Sequence, residues 1–122
     1  MKLVSISGLV FVVKDIGKTA SFYEDLGFRI TLKDEDHLTM RLNWFFVEFY
    51  IQSSEHAPQE QRDLDNTNSG AYIYIKVDST SEYYDDLVKR GIGSVEKPTR
   101  TNRGKMELII TDPDGYKLVL FE

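Results

Sequence analysis

One pattern occurs twice along this chain, and it limits the possible folds more than any other feature. Ser7-Gly8-Leu9-Val10-Phe11-Val12-Val13-Lys14-Asp15 is echoed by Ser69-Gly70-Ala71-Tyr72-Ile73-Tyr74-Ile75-Lys76-Val77-Asp78. Phe22-Tyr23-Glu24-Asp25-Leu26 is likewise echoed by Tyr83-Tyr84-Asp85-Asp86-Leu87. The offset is 61 residues from Phe22 to Tyr83 and 63 from Asp15 to Asp78. Such self-similarity marks a duplicated supersecondary unit. Within a single domain over residues 1–122, module 1 takes about 1–52, a linker 53–69, and module 2 about 70–122.

Each copy reads as a strand, a helix and three further strands. Leu3 to Val13 is almost continuously apolar and β-branched, which predicts a strand buried on both faces. Asp15 can cap a helix over about Ile16 to Leu26, with Ala20, Phe22, Tyr23 and Leu26 as its apolar stripe and Gly27 as its stop. Phe28 to Leu32, Leu38 to Leu42 and Trp44 to Gln52 follow as strands, with a charged turn containing His37 and a tight turn near Asn43 between them. In the second copy, Ala71 to Val77 is the opening strand and Asp78 or Ser79 caps a helix through Arg90. Short strands are expected at Ser94 to Glu96, Lys105 to Thr111 and Tyr116 to Phe121, the last two joined by Asp112-Pro113-Asp114-Gly115. The polar stretch from Ser53 to Ser69 lacks periodicity and reads as a mobile connection. A hinge between equal modules also makes a homodimer, domain-swapped in one version, a reasonable partner expectation.

Bulk composition excludes several function classes. No cysteine means no disulfide, no thiol nucleophile and no thiolate metal site. The start of the chain lacks a signal-peptide pattern, and no apolar run nears the roughly 20 residues that span a bilayer, so the expectation is a cytoplasmic protein without a membrane partner. A net charge of −5 without a clustered basic face argues against nucleic acid and mildly favours cationic ligands.

Two motifs carry a family resemblance. Phe22-Tyr23-Glu24-Asp25-Leu26-Gly27-Phe28 resembles the "FY…LGF" signature of the vicinal oxygen chelate proteins, the superfamily of glyoxalases, bleomycin-resistance proteins and extradiol dioxygenases. Asp112-Pro113-Asp114-Gly115-Tyr116-Lys117-Leu118 resembles their "DPDGN" hairpin before the closing strand. The resemblance implies an α+β fold in which two βαβββ modules form a curved, eight-stranded mixed sheet around a cleft. It also implies metal-ligand places at Gly8, Glu48, Tyr72 and Val119. Only Glu48 is an ordinary divalent-metal ligand. Gly8 has no side chain, Val119 is apolar, and a phenol such as Tyr72 keeps its proton near neutral pH. His37 and His56 lie off the expected cleft walls, and Glu107 or Glu122 alone makes a weak site. The expectation is therefore no metal and no cofactor.

Strand alternation then defines what faces the implied cleft. Trp44, Phe46, Glu48 and Tyr50 share one face of the fourth strand; Tyr72 and Tyr74 share one face of the fifth; Val119 and Phe121 share one face of the last. The reverse faces are purely apolar and suit packing under the helices. Aromatic rings with sparse polar tips fit a planar or cationic organic ligand, held by stacking, cation–π attraction and the Glu48 carboxylate. Arg41 pairs with Glu48 in one of two strand registers, and Arg100 and Arg103, which flank a loop able to close on an anionic group, read first as solvated loop arginines. The leading expectation is metal-independent, non-catalytic capture of a small molecule, similar to the bleomycin-resistance proteins and their antibiotic resistance. The alternative is an enzyme (lyase, isomerase, thiol transferase or dioxygenase) with Glu48 as ligand or general base.

Overall fold

The computed structural model describes residues 1–58, 71–101 and 104–122. The chain divides into two compact units, Met1–Asp65 and Asn66–Glu122. Both are mixed sheets with one helix each, so the α+β expectation holds.

In the first unit, β1 (Gly8–Val13), α1 (Ile16–Leu26), β2 (Arg29–Lys33), β3 (His37–Leu42) and β4 (Phe45–Ile51) follow in order. The sheet order is β1-β4-β3-β2, with β1 parallel to β4 and β3 antiparallel to both neighbours. Asp15 caps α1 by accepting from Lys18 N at 2.9 Å, and Gly27, at φ 111°, closes it in the left-handed region that glycine enters without a Cβ clash. The helix stripe buries Ile16, Ala20, Phe22, Tyr23 and Leu26. Tyr23 is the centre of this core: its ring lies 5.0 Å from Phe49 and 5.5 Å from Phe28. Leu38, Met40 and Val47 complete it from the sheet. Burying a side chain of this size stabilises by about 1.5–3 kcal/mol.

The second unit repeats the plan. It contains β5 (Tyr72–Lys76), α2 (Thr80–Arg90), β6 (Ser94–Val95), β7 (Thr99–Arg100), β8 (Met106–Thr111) and β9 (Lys117–Phe121). The order is β5-β9-β8-β6, with β7 also on β8 and with β5 parallel to β9. Of the two candidate caps it is Ser79 that holds α2, accepting from Glu82 N at 3.2 Å. Leu87, Leu108, Ile110, Leu118 and Leu120 form the core. The Asp112–Gly115 turn is tied by its first residue: Asp112 Oδ1 accepts from Asp114 N and from Tyr116 N, each at 2.9 Å. That buried carboxylate is satisfied, as a buried charge must be.

Three details differ from the sequence expectations. β1 begins only at Gly8; Leu3 and Ile6 are 101% and 81% exposed. The cause is the partner strand, because the ladder starts at Gly8 opposite Phe46 and β4 itself starts at Phe45. The strands also form two separately hydrogen-bonded sheets with nine strands among the described residues, the added one being β7. Finally, the start of the linker is folded: Ser54 N donates to Ile51 O, Ser54 Oγ donates to Asp36, and Ala57 packs on Val12. The rest of the linker lies outside the described residues. No described helix is long and apolar enough to cross a membrane.

Candidate functional site

The helix-free face of the first sheet is set by the β3–β4 register. Leu38 and Met40 point into the core, so His37, Thr39 and Arg41 point the other way, opposite Tyr50, Glu48 and Phe46 respectively. His37 belongs to β3 and not to the preceding turn, which places it beside the expected cleft residues. Its Nε2 lies 3.2 Å from Glu48 Oε1 and 3.4 Å from Thr39 Oγ1. The imidazole stacks on Tyr50, with ring centroids 4.4 Å apart and planes 14° from parallel. Burial raises the Tyr50 phenol above its ordinary value, and the negative charge of Glu48 and then of Asp36 and Asp34 adds to the effect. Asp36, half-buried at the edge of this cluster, is lowered first by the hydrogen bond from Ser54, then by Asp34, with a smaller effect from His56. Together Glu48, His37, Thr39 and Tyr50 make a polar, half-buried patch able to hold a cation or relay a proton.

Phe46 lies apart from that patch. Arg41 stacks over its ring at 5.5 Å, so Arg41 serves the aromatic face, and Glu48 takes His37 as its partner. The ring also fills the space beside Gly8, where an added Cβ would meet it at 2.5 Å. Trp44 stands outside β4 in the turn after Asn43 and is 72% exposed. Its carbonyl accepts from Arg41 at 3.4 Å.

On the corresponding face of the second sheet, Tyr72 pairs with Lys117, Tyr74 with Val119, and Phe121 with Glu107. Tyr74 and Phe121 meet with centroids 5.9 Å apart. With Thr101, Lys105 and Glu107 they wall a cavity of about 200 Å³. Lys105 Nζ lies 5.4 Å over the Phe121 ring, and Lys117 Nζ donates to Thr111 at 3.0 Å. Val119 is 1% exposed and serves as packing beneath Tyr74; Tyr72 is exposed and outside the cavity. Asn102 and Arg103 lie outside the described residues. Arg100 donates to Gly104 O at 2.8 Å, bracing the hairpin that carries Lys105.

Sequence reasoning thus named Glu48, Tyr50, Tyr74 and Phe121 but missed His37, Thr101 and Lys105 and discounted Glu107. The alternation of Leu38, Met40 and Leu42 carries the signal for His37, if the strand is extended by one residue. Lys105 lies one residue before β8 and Glu107 within it, and the i, i+2 spacing is the one sequence signal that links them.

The four places where the family resemblance implies metal ligands do not fit a metal ion. Gly8 lends no donor and is overlain by the Phe46 ring, and Val119 is buried hydrocarbon. Among the described residues no three His, Asp or Glu side chains are grouped to hold one.

A family model described as the Glyoxalase/Bleomycin resistance protein/Dioxygenase superfamily matches residues 5–120. A metallothiol transferase FosB of Lysinibacillus sphaericus (strain C3-41) is 25% identical over 118 residues, spanning 96% of this chain and 81% of that protein. A second metallothiol transferase FosB, from Staphylococcus saprophyticus, is 28% identical over 122 residues, spanning 95% and 75%. The crystal structure of a bleomycin-binding protein complexed with bleomycin superposes with a TM-score of 0.72 at 23% identity, covering 98% of both chains. At that identity the likeness speaks to the fold.

Proposed function

The chain belongs to the glyoxalase/bleomycin resistance protein/dioxygenase superfamily, and from that membership and its aromatic strand faces we propose that it captures a small aromatic or cationic organic molecule without a metal ion. The observation that carries this reading is the cavity of about 200 Å³ walled by Tyr74 and Phe121, with the Glu107 carboxylate on its rim. Aromatic walls bury a planar group, and a carboxylate fixes the orientation of a cation. Phe46, Tyr50 and Glu48 offer the same chemistry on the first sheet. The likeness to a bleomycin-binding protein makes bleomycin a ligand to test, beside planar cations small enough for this cavity.

The test is calorimetric titration with bleomycin and with simple planar cations, with and without a chelator, on the native chain and on Tyr74→Ala. Metal-independent binding, weakened about tenfold or more in the variant, is the expected result. Absence of binding by any planar compound, together with tight stoichiometric binding of Zn²⁺ or Mn²⁺, overturns it. A second reading, catalysis with Glu48 as general base, is favoured by one contact, the His37–Glu48 pair at 3.2 Å. Under that reading Glu48→Gln abolishes turnover while leaving ligand affinity nearly unchanged.

A further inference from the structure

The cavity in the second unit holds two opposite charges that do not neutralise each other. Lys105, just before β8, and Glu107, within it, both line the cavity, and neither the ammonium nor the carboxylate has an ion-pair partner among the described residues. The Lys105 position is held rather than loose. Thr101 N donates to Lys105 O at 2.7 Å, Lys105 N donates to Thr101 Oγ1 at 3.3 Å, and Gly104 N donates to Thr101 O at 2.9 Å. With its oxygen accepting from Lys105 N, the Thr101 hydroxyl keeps its own proton available to an incoming acceptor. Tyr74 and Phe121 supply the apolar wall.

A ligand with only a positive charge gains Glu107 but brings its charge toward Lys105, which already occupies one face of Phe121. An anion meets the mirror-image penalty from Glu107. A molecule carrying both charges a few atoms apart satisfies both groups at once. Size points the same way, because drug-sized ligands occupy pockets of roughly 300–1,000 Å³. A cavity of about 200 Å³ admits one ring and a short polar end.

We propose that this cavity recognises a small zwitterion of the amino-acid class. Its carboxylate pairs with the Lys105 ammonium and the Thr101 hydroxyl, its ammonium pairs with Glu107, and its aromatic or apolar side group lies against Tyr74 and Phe121. This deepens the capture reading above and rests on it.

The experiment is an amide-resolved NMR titration of the full chain with three probes: L-phenylalanine, 2-phenylethylamine and 3-phenylpropionate. L-Phenylalanine is expected to shift the amides of Thr101, Lys105, Glu107 and Phe121 and to bind at least about fivefold more tightly than either single-charge probe. Lys105→Gln and Glu107→Gln each remove that preference while the spectrum stays dispersed and folded. Equal binding of the three probes at these amides overturns the zwitterion pairing and leaves aromatic capture standing. No shift from any probe overturns the assignment of this cavity, and the bleomycin titration then decides capture on its own.

Discussion

Gly8 shows how one residue's absence of a side chain shapes the surface around it. The Phe46 ring rests against the glycine and carries Arg41 on its outer side, so three residues on three strands form one stack. Adding even a methyl group at position 8 forces the ring to swing away. Gly8→Ala is expected to destabilise the fold by about 1–3 kcal/mol, the usual cost of overpacking. In a Phe46→Ala background most of that cost disappears, and a double-mutant cycle from urea unfolding measures the difference. A coupling energy near zero means that the Phe46 ring is not the source of the cost at position 8.

Among the elements, the β8–β9 hairpin has the most direct bearing on the cavity, because its register sets Glu107 opposite Phe121. Asp112 holds the turn with two hydrogen bonds from backbone N–H groups at 2.9 Å while itself buried. Gly115, at φ 94°, completes the reversal that most side chains disfavour. Asp112→Ala removes the acceptor of one buried and one part-buried backbone N–H, with an expected loss of about 1–3 kcal/mol in chemical unfolding. If the turn also positions the cavity walls, Asp112→Asn, which keeps one acceptor oxygen, recovers part of the stability and most of the ligand affinity. Thermal unfolding and calorimetry on the two variants separate these effects.

At the scale of the whole molecule, stability is carried by two sheet-and-helix cores. The amino-terminal segment contributes nothing to either. Met1, Leu3, Val4 and Ile6 are exposed, and the ladder has no residue opposite them. Deleting residues 2–6 is therefore expected to change folding stability by less than about 0.5 kcal/mol, as for surface positions generally. The measurement is the unfolding midpoint at several protein concentrations. A loss of stability that grows on dilution instead identifies the segment as part of an association surface, where the apolar side chains find cover. Sedimentation velocity on the same pair of proteins reports the oligomeric state directly.

What the sequence alone determined is local or repeated. The duplication, both helices with the Asp15 cap and glycine stops, the Asp112–Gly115 turn and the helix-facing side of each strand follow from interactions within a few residues and from strand alternation, while the choice of Ser79 over Asp78 as the second cap did not. The strand faces of Glu48, Tyr50, Tyr74 and Phe121 were legible for the same reason. Only the tertiary structure decided which strand residues stand opposite one another. That placed His37 on Glu48, put the Phe46 ring over Gly8, gave β7 its place on β8, and started β1 where its partner starts. Register between strands distant in sequence is set by the hydrogen-bond ladder and by the packing of the opposite face. No short window of residues encodes it.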